Sequence, residues 1–177
     1  TWRLVDPFNN VIFNTNFNAD VGTLTLARAG TYTVVIEGRV NAGVGTVNYA
    51  FNVQPEGNQP PVPFTGAPLT IDSTISGNIG VAGETDAFLF TLGATTRLHF
   101  DSFTNNGSLN WTLLGPPGTL VGARPFTNSD SIDFGSPFLN LVAGDYLLTV
   151  AGSGSATGTY SFRLLNAASA VAMTPGT

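Results

Sequence analysis

Apolar and polar residues alternate in short runs along this chain: Tyr32, Val34, Ile36; Tyr49, Phe51, Val53; Phe88, Phe90, Leu92; Leu98, Phe100; Tyr146, Leu148, Val150; and Tyr160, Phe162, Leu164. A period of two sends successive side chains to opposite faces of a pleated strand, so each run predicts a β-strand with one face in a core. Clusters of Gly, Pro, Asn and Asp punctuate the runs. One of them, Asn106-Gly107 in "TNNGS", predicts a tight hairpin turn with positive φ. No stretch sustains a helical period, and the fold expected is all-β.

The pattern also recurs at long range. Trp2, Leu4, Val5 and Pro7 match Trp111, Leu113, Leu114 and Pro116; after one inserted residue, Val11, Asn18 and Asp20 match Val121, Asn128 and Asp130. "AGTYTVVIEG" at 29–38 matches "AGDYLLTVAG" at 143–152, and Tyr49, Phe51, Val53 match Tyr160, Phe162, Leu164. A period of roughly 110 residues is that of a domain, not of a solenoid coil. The second copy has "GNIGVAGETDAFLFTLGATTRLHFDSFTNNGSLN" before its Trp and the first has no equivalent. The organisation expected is therefore tandem modules, the first incomplete at its N-terminus: the C-terminal half of one module over 1–55, a Pro/Gly-rich linker over 56–68, a complete module over 69–167, and the start of a further linker or module over 168–177. Half a module exposes apolar strand edges. Its missing strands are expected either upstream of Thr1 or from a neighbouring copy by strand addition.

Composition narrows the chemistry. Charged residues are 10% of the 177, against roughly a quarter in ordinary soluble domains. Gly, Thr, Asn and Ser fill the polar positions instead, as in a β-protein with many turns. The net charge is −5 and the six basic residues, all arginine, are scattered, which argues against a nucleic-acid face. No apolar run approaches the length of a membrane span. The absence of Cys removes disulfides, thiolate metal sites and cysteine catalysis, and the absence of Lys removes amine-based cross-links and Schiff bases.

Few residues suggest chemistry. His99 and Asp101 lie two apart on one strand face with Ser102 beside them, but Ser102 points to the other face and no Gly-x-Ser-x-Gly elbow occurs, so His99 reads as an ordinary strand histidine. Hard oxygen donors make calcium the metal to consider, with Asn18, Asp20, Asn128, Asp130, Glu84 and Asp86 as candidate ligands. The competing role for the repeated Asn-x-Asp is turn capping through nearby backbone N–H groups. Trp2 and Trp111, flanked by alternating apolar residues, read as core. Phe8, Phe13, Phe17 and Phe126, in segments beside the Asn-x-Asp pairs, are the aromatics expected to meet a neighbour or ligand.

The stretches "GETDAFLFTLGATTRLHF", "LNWTLLGPPGTLV" and "LVAGDYLLTVAGSGSATGTYSFRLL" resemble the bacterial pre-peptidase C-terminal (PPC) domain; residues 70–166 span the pattern and 2–54 its second half. The resemblance implies jelly-roll-type β-sandwiches, an extracellular or cell-surface location and an accessory role, since relatives follow secreted proteases or repeat in surface proteins. The function expected is a non-catalytic structural repeat of a secreted bacterial surface protein, adhesin or extracellular fibre. The partners expected are neighbouring copies, or polysaccharide or matrix protein. The alternatives are a calcium-dependent carbohydrate- or matrix-binding module, or an accessory domain of a secreted hydrolase.

Overall fold

The computed structural model describes residues 1–38, 43, 45, 48–58, 62–129, 135–171 and 173. It is all-β, with two short 3-10 turns among the described residues. Among the described residues no helix is long and apolar enough to cross a membrane. The chain divides into two units, Thr1–Val62 and Pro63–Thr177.

In the first unit β1 (Trp2–Val5) is the centre of a three-stranded antiparallel sheet, flanked by β2 (Val11–Thr15) and β3 (Thr33–Ile36). The run Tyr49, Phe51, Val53, although it alternates, is not a strand. In the second unit the matching run Tyr160, Phe162, Leu164 lies in a strand with a neighbour on each side. Both neighbours come from sequence that has no counterpart in residues 1–54, and a lone strand has no ladder to join.

The second unit is built from β4 (Ala67–Pro68), β5 (Thr74–Ile79), β6 (Thr85–Leu92), β7 (Thr96–Ser102), β8 (Leu109–Gly115), β9 (Gly118–Pro125), β10 (Leu139–Leu141), β11 (Gly144–Gly152) and β12 (Gly158–Asn166). One sheet runs β4-β6-β11-β8-β9, the other β10-β7-β12-β5, and among the described residues only the β4–β6 pair is parallel. Alternate residues meet in one core: Tyr146, Leu148 and Val150 from the first sheet, Leu98, Phe100, Phe162 and Leu164 from the second, all at most 2% exposed. Phe100 stacks on Trp111 at 3.9 Å between centroids and on Phe162 at 5.0 Å, tying the sheets face to face. Each such side chain contributes on the order of 1.5–3 kcal/mol by leaving water.

Two local expectations are corrected. The Asn106-Gly107 turn does not close a hairpin: it carries the chain from β7 in one sheet to β8 in the other. Asn106 Oδ1 accepts from the Ser108 N–H at 2.9 Å, and Gly107 is not among the residues of positive φ. Phe126 is not a ligand-facing aromatic but a core residue, 1% exposed, packed on Phe100 and Tyr160.

Candidate functional site

The first unit repeats the local plan of the second. Trp2 pairs with Ile36 and Leu4 with Val34 across β1 and β3; Trp111 pairs with Val150 and Leu113 with Leu148 across β8 and β11. The Tyr32 hydroxyl donates to the carbonyl of Arg28, four residues back, as the Tyr146 hydroxyl does to Val142. Gly30 and Gly144 have φ of +137° and +139°, and a Cβ on either would strike a proline ring, Pro7 or Pro116. Sheet β2-β1-β3 thus corresponds to β9-β8-β11.

The difference is what covers it. Trp111 is fully buried beneath Phe100, and its Nε1 donates to Ser129 Oγ at 2.7 Å. Trp2 is only half-buried, held by Phe13 at 4.8 Å, Phe17 at 5.3 Å and Phe51 at 6.1 Å. Its Nε1 is buried with no partner among the described residues; the position matching Ser129 is Ala19, which has no hydroxyl. Around this cluster Tyr49, Phe51 and Val53 are 59%, 46% and 74% exposed, and Val34 is 39% exposed. Their counterparts Tyr160, Phe162, Leu164 and Leu148 are all buried. The result is an exposed aromatic and aliphatic surface where the second unit has a closed core.

One acidic residue shapes this unit without any sequence flag beyond the turn-forming "VDPFNN". Asp6 is buried; its Oδ1 accepts from the N–H groups of Phe8 and Asn10, both at 2.8 Å, and its Oδ2 accepts from Asn10 Nδ2 at 3.0 Å and from Arg28. Burial raises the carboxyl pKa, but these donors outweigh it and bring it from the ordinary 3.8 to about 2. The carboxylate pins the β1–β2 turn, in which Asn9 adopts φ +65°.

Within each unit, the described candidate ligands are engaged separately. Glu84 Oε2 accepts from the Gly80 and Val81 N–H groups and closes the β5–β6 turn. Asp86 accepts from the Tyr160 hydroxyl, whose pKa burial raises, helped by that hydrogen bond. Gly77 leaves room for the Tyr160 ring, since a Cβ there would meet its hydroxyl. Asn128 accepts from Thr127 through its side chain and from Arg124 through its carbonyl. Asn18 and Asp20 are exposed, and Asp130 lies outside the described residues. Among the described residues no three acidic or histidine side chains converge as a metal site would require. His99, half-buried on β7, contacts the Pro137 carbonyl through Nδ1 at 2.8 Å, while Asp101 pairs with Arg163. Neither engages Ser102, whose hydroxyl donates to the Thr104 carbonyl.

No protein-family model and no curated protein matches the chain. Among solved structures it is similar to PliG of Salmonella Typhimurium, a periplasmic inhibitor of g-type lysozyme, at 16% identity and a TM-score of 0.41, covering 56% of this chain and 97% of that one. PliG of Aeromonas hydrophila, of the same description, is similar at 12% identity and a TM-score of 0.39, covering 56% of this chain and 96% of that one. At these values no ligand carries over. The matches do correct the expected function: the similar proteins are periplasmic inhibitors of g-type lysozyme, each covered almost whole by about half of this chain. The structural repeat of a surface protein, adhesin or extracellular fibre is withdrawn, with the description as a tandem repeat and the carbohydrate, matrix and hydrolase alternatives.

Proposed function

We propose that this chain is a non-catalytic protein-binding protein that works outside the cytoplasm and takes up a polypeptide partner on the open aromatic face of its first unit. The observation that carries the proposal is the contrast between equivalent residues: Tyr49, Phe51 and Val53 exposed, Tyr160, Phe162 and Leu164 buried. A non-catalytic role is supported by how the carboxylates are engaged. Asp6, Asp72 and Glu84 hold backbone N–H groups, while Asp86, Asp101 and Asp145 hold side chains across strands. The location follows the PPC resemblance. The same reading treats the second unit as a jelly-roll-type sandwich and sheet β2-β1-β3 of the first as built on the plan of β9-β8-β11; the shared register, tyrosine bonds and glycine–proline contacts support it.

The test is a photo-reactive benzoyl-phenylalanine at position 53, with position 145 on the second unit as control. Irradiation in the extracytoplasmic fraction of the producing cell is expected to give a discrete polypeptide adduct from position 53, lost when Phe51→Asp is added. Equal adducts from both positions, or none from 53, would refute the proposal.

A further inference from the structure

The connection from β7 to β8 contains Asn106-Gly107, the one Asn-Gly pair in the 177 residues. Its surroundings bear on the chemistry of the Asn106 amide. The side chain is half-buried, and its Oδ1 accepts from the Ser108 N–H at 2.9 Å, which draws electrons away from Cγ. The Gly107 N–H makes no hydrogen bond among the described residues, so its nitrogen is not committed elsewhere. Gly107 is exposed, and as a glycine it has no Cβ to hinder the approach of that nitrogen to Cγ. No other described asparagine combines these features. Asn166 has the same bond, its Oδ1 accepting from the Ala168 N–H at 3.0 Å, but the residue that follows it is Ala167, whose Cβ crowds the approach. Asn9 is followed by Asn10, whose N–H is held by Asp6 Oδ1. Asn128 is followed by Ser129, which is fully buried.

We propose that Asn106 is a site of spontaneous deamidation in the folded protein, with water as the only co-reactant. Hydroxide removes the Gly107 amide proton, and the nitrogen bonds to Asn106 Cγ. Negative charge then develops on Oδ1, where the Ser108 N–H already donates, so the turn supplies an oxyanion donor in place. The Cγ–Nδ2 bond breaks, the nitrogen leaves as ammonia with a proton from water, and a succinimide joins positions 106 and 107. A water molecule opens that ring at either carbonyl, giving aspartate or isoaspartate at position 106. The net change is one water consumed, one ammonia released and one negative charge gained. Aspartate keeps the acceptor for the Ser108 N–H. Isoaspartate places the side-chain methylene in the main chain just ahead of Ser108, whose carbonyl accepts from the Ser153 N–H at 2.8 Å. Because this segment carries the chain from one sheet to the other, the isoaspartate form is the less stable of the two.

The test keeps the full chain folded in mildly alkaline buffer and reads each asparagine over time by pepsin digestion in acid and fragment mass spectrometry. Position 106 is expected to convert first, through a species that has lost ammonia, to a mixture of aspartate and isoaspartate, while Asn166 stays intact. Gly107→Ala is expected to slow the conversion to the level of Asn166. Its Cβ would lie 3.2 Å from Oγ1 of Thr127, an exposed side chain that can turn aside. Ser108→Pro removes the donor N–H and is expected to slow the conversion about ten-fold, the effect of one hydrogen bond to a charged oxygen. Only variants that keep the Trp111 emission of the parent chain are compared, and Gly107→Ala carries the test alone if Ser108→Pro does not fold. An intact Asn106, earlier conversion at another asparagine, or an unchanged rate in Gly107→Ala overturns the site. An unchanged rate in Ser108→Pro overturns the oxyanion donor.

Discussion

Asp6 couples the turn of the first unit to pH. Its carboxyl, near 3.8 when unfolded and about 2 when folded, is depressed, so its contribution to stability is complete above about pH 4 and is lost as pH falls toward 2. The melting of the first unit, followed by Trp2 emission, is expected to drop over that window, and Asp6→Asn to flatten the dependence. Ser129 is the other single residue with a measurable role. Ser129→Ala leaves the Trp111 Nε1 buried without an acceptor and is expected to destabilise the second unit by about 1–3 kcal/mol in urea unfolding. Trp111 was legible as core from its apolar neighbours. Its acceptor was not, because the bond crosses eighteen residues and period-two patterns say nothing about hydroxyl direction. Asp6 escaped for a similar reason: Asp-Pro and Asn-Asn announce a turn, but not that a carboxylate at its heart also reaches Arg28.

Among elements, alternation identified the strands that have neighbours and overstated the one that has none. Tyr160 to Leu164 and Tyr49 to Val53 read alike in sequence, yet the first lies between β5 and β7 and the second in no sheet. Period two reports which face is apolar; pairing depends on what else the chain brings alongside. Amide exchange separates the two directly. The amides of β12 are expected to exchange slowly, while those of 49–53 exchange at nearly unprotected rates. Protection of 49–53 in the free protein would mean that its backbone is already paired.

Over the whole molecule, the two units have unequal means of staying folded. The second closes eighteen buried apolar residues into one cluster, whereas Leu4 is the one buried apolar residue of the first among those described. Calorimetry is expected to show two transitions, the lower following Trp2 emission and the upper following loss of the Trp111 environment. A single transition shared by both probes would mean that the units unfold as one. The all-β class was readable from pattern alone; the role was not, since exposure belongs to the assembled sheets and not to any residue type.

The tyrosine bonds carry a last consequence. Tyr32 and Tyr146 each fasten to a carbonyl only four residues back, so this corner needs no distant sequence to form. The Arg28–Tyr32 corner can therefore close early in synthesis, before the second unit exists. The conformational entropy of fixing that corner is then lost over one short segment, ahead of the longer-range pairing of β1 with β3.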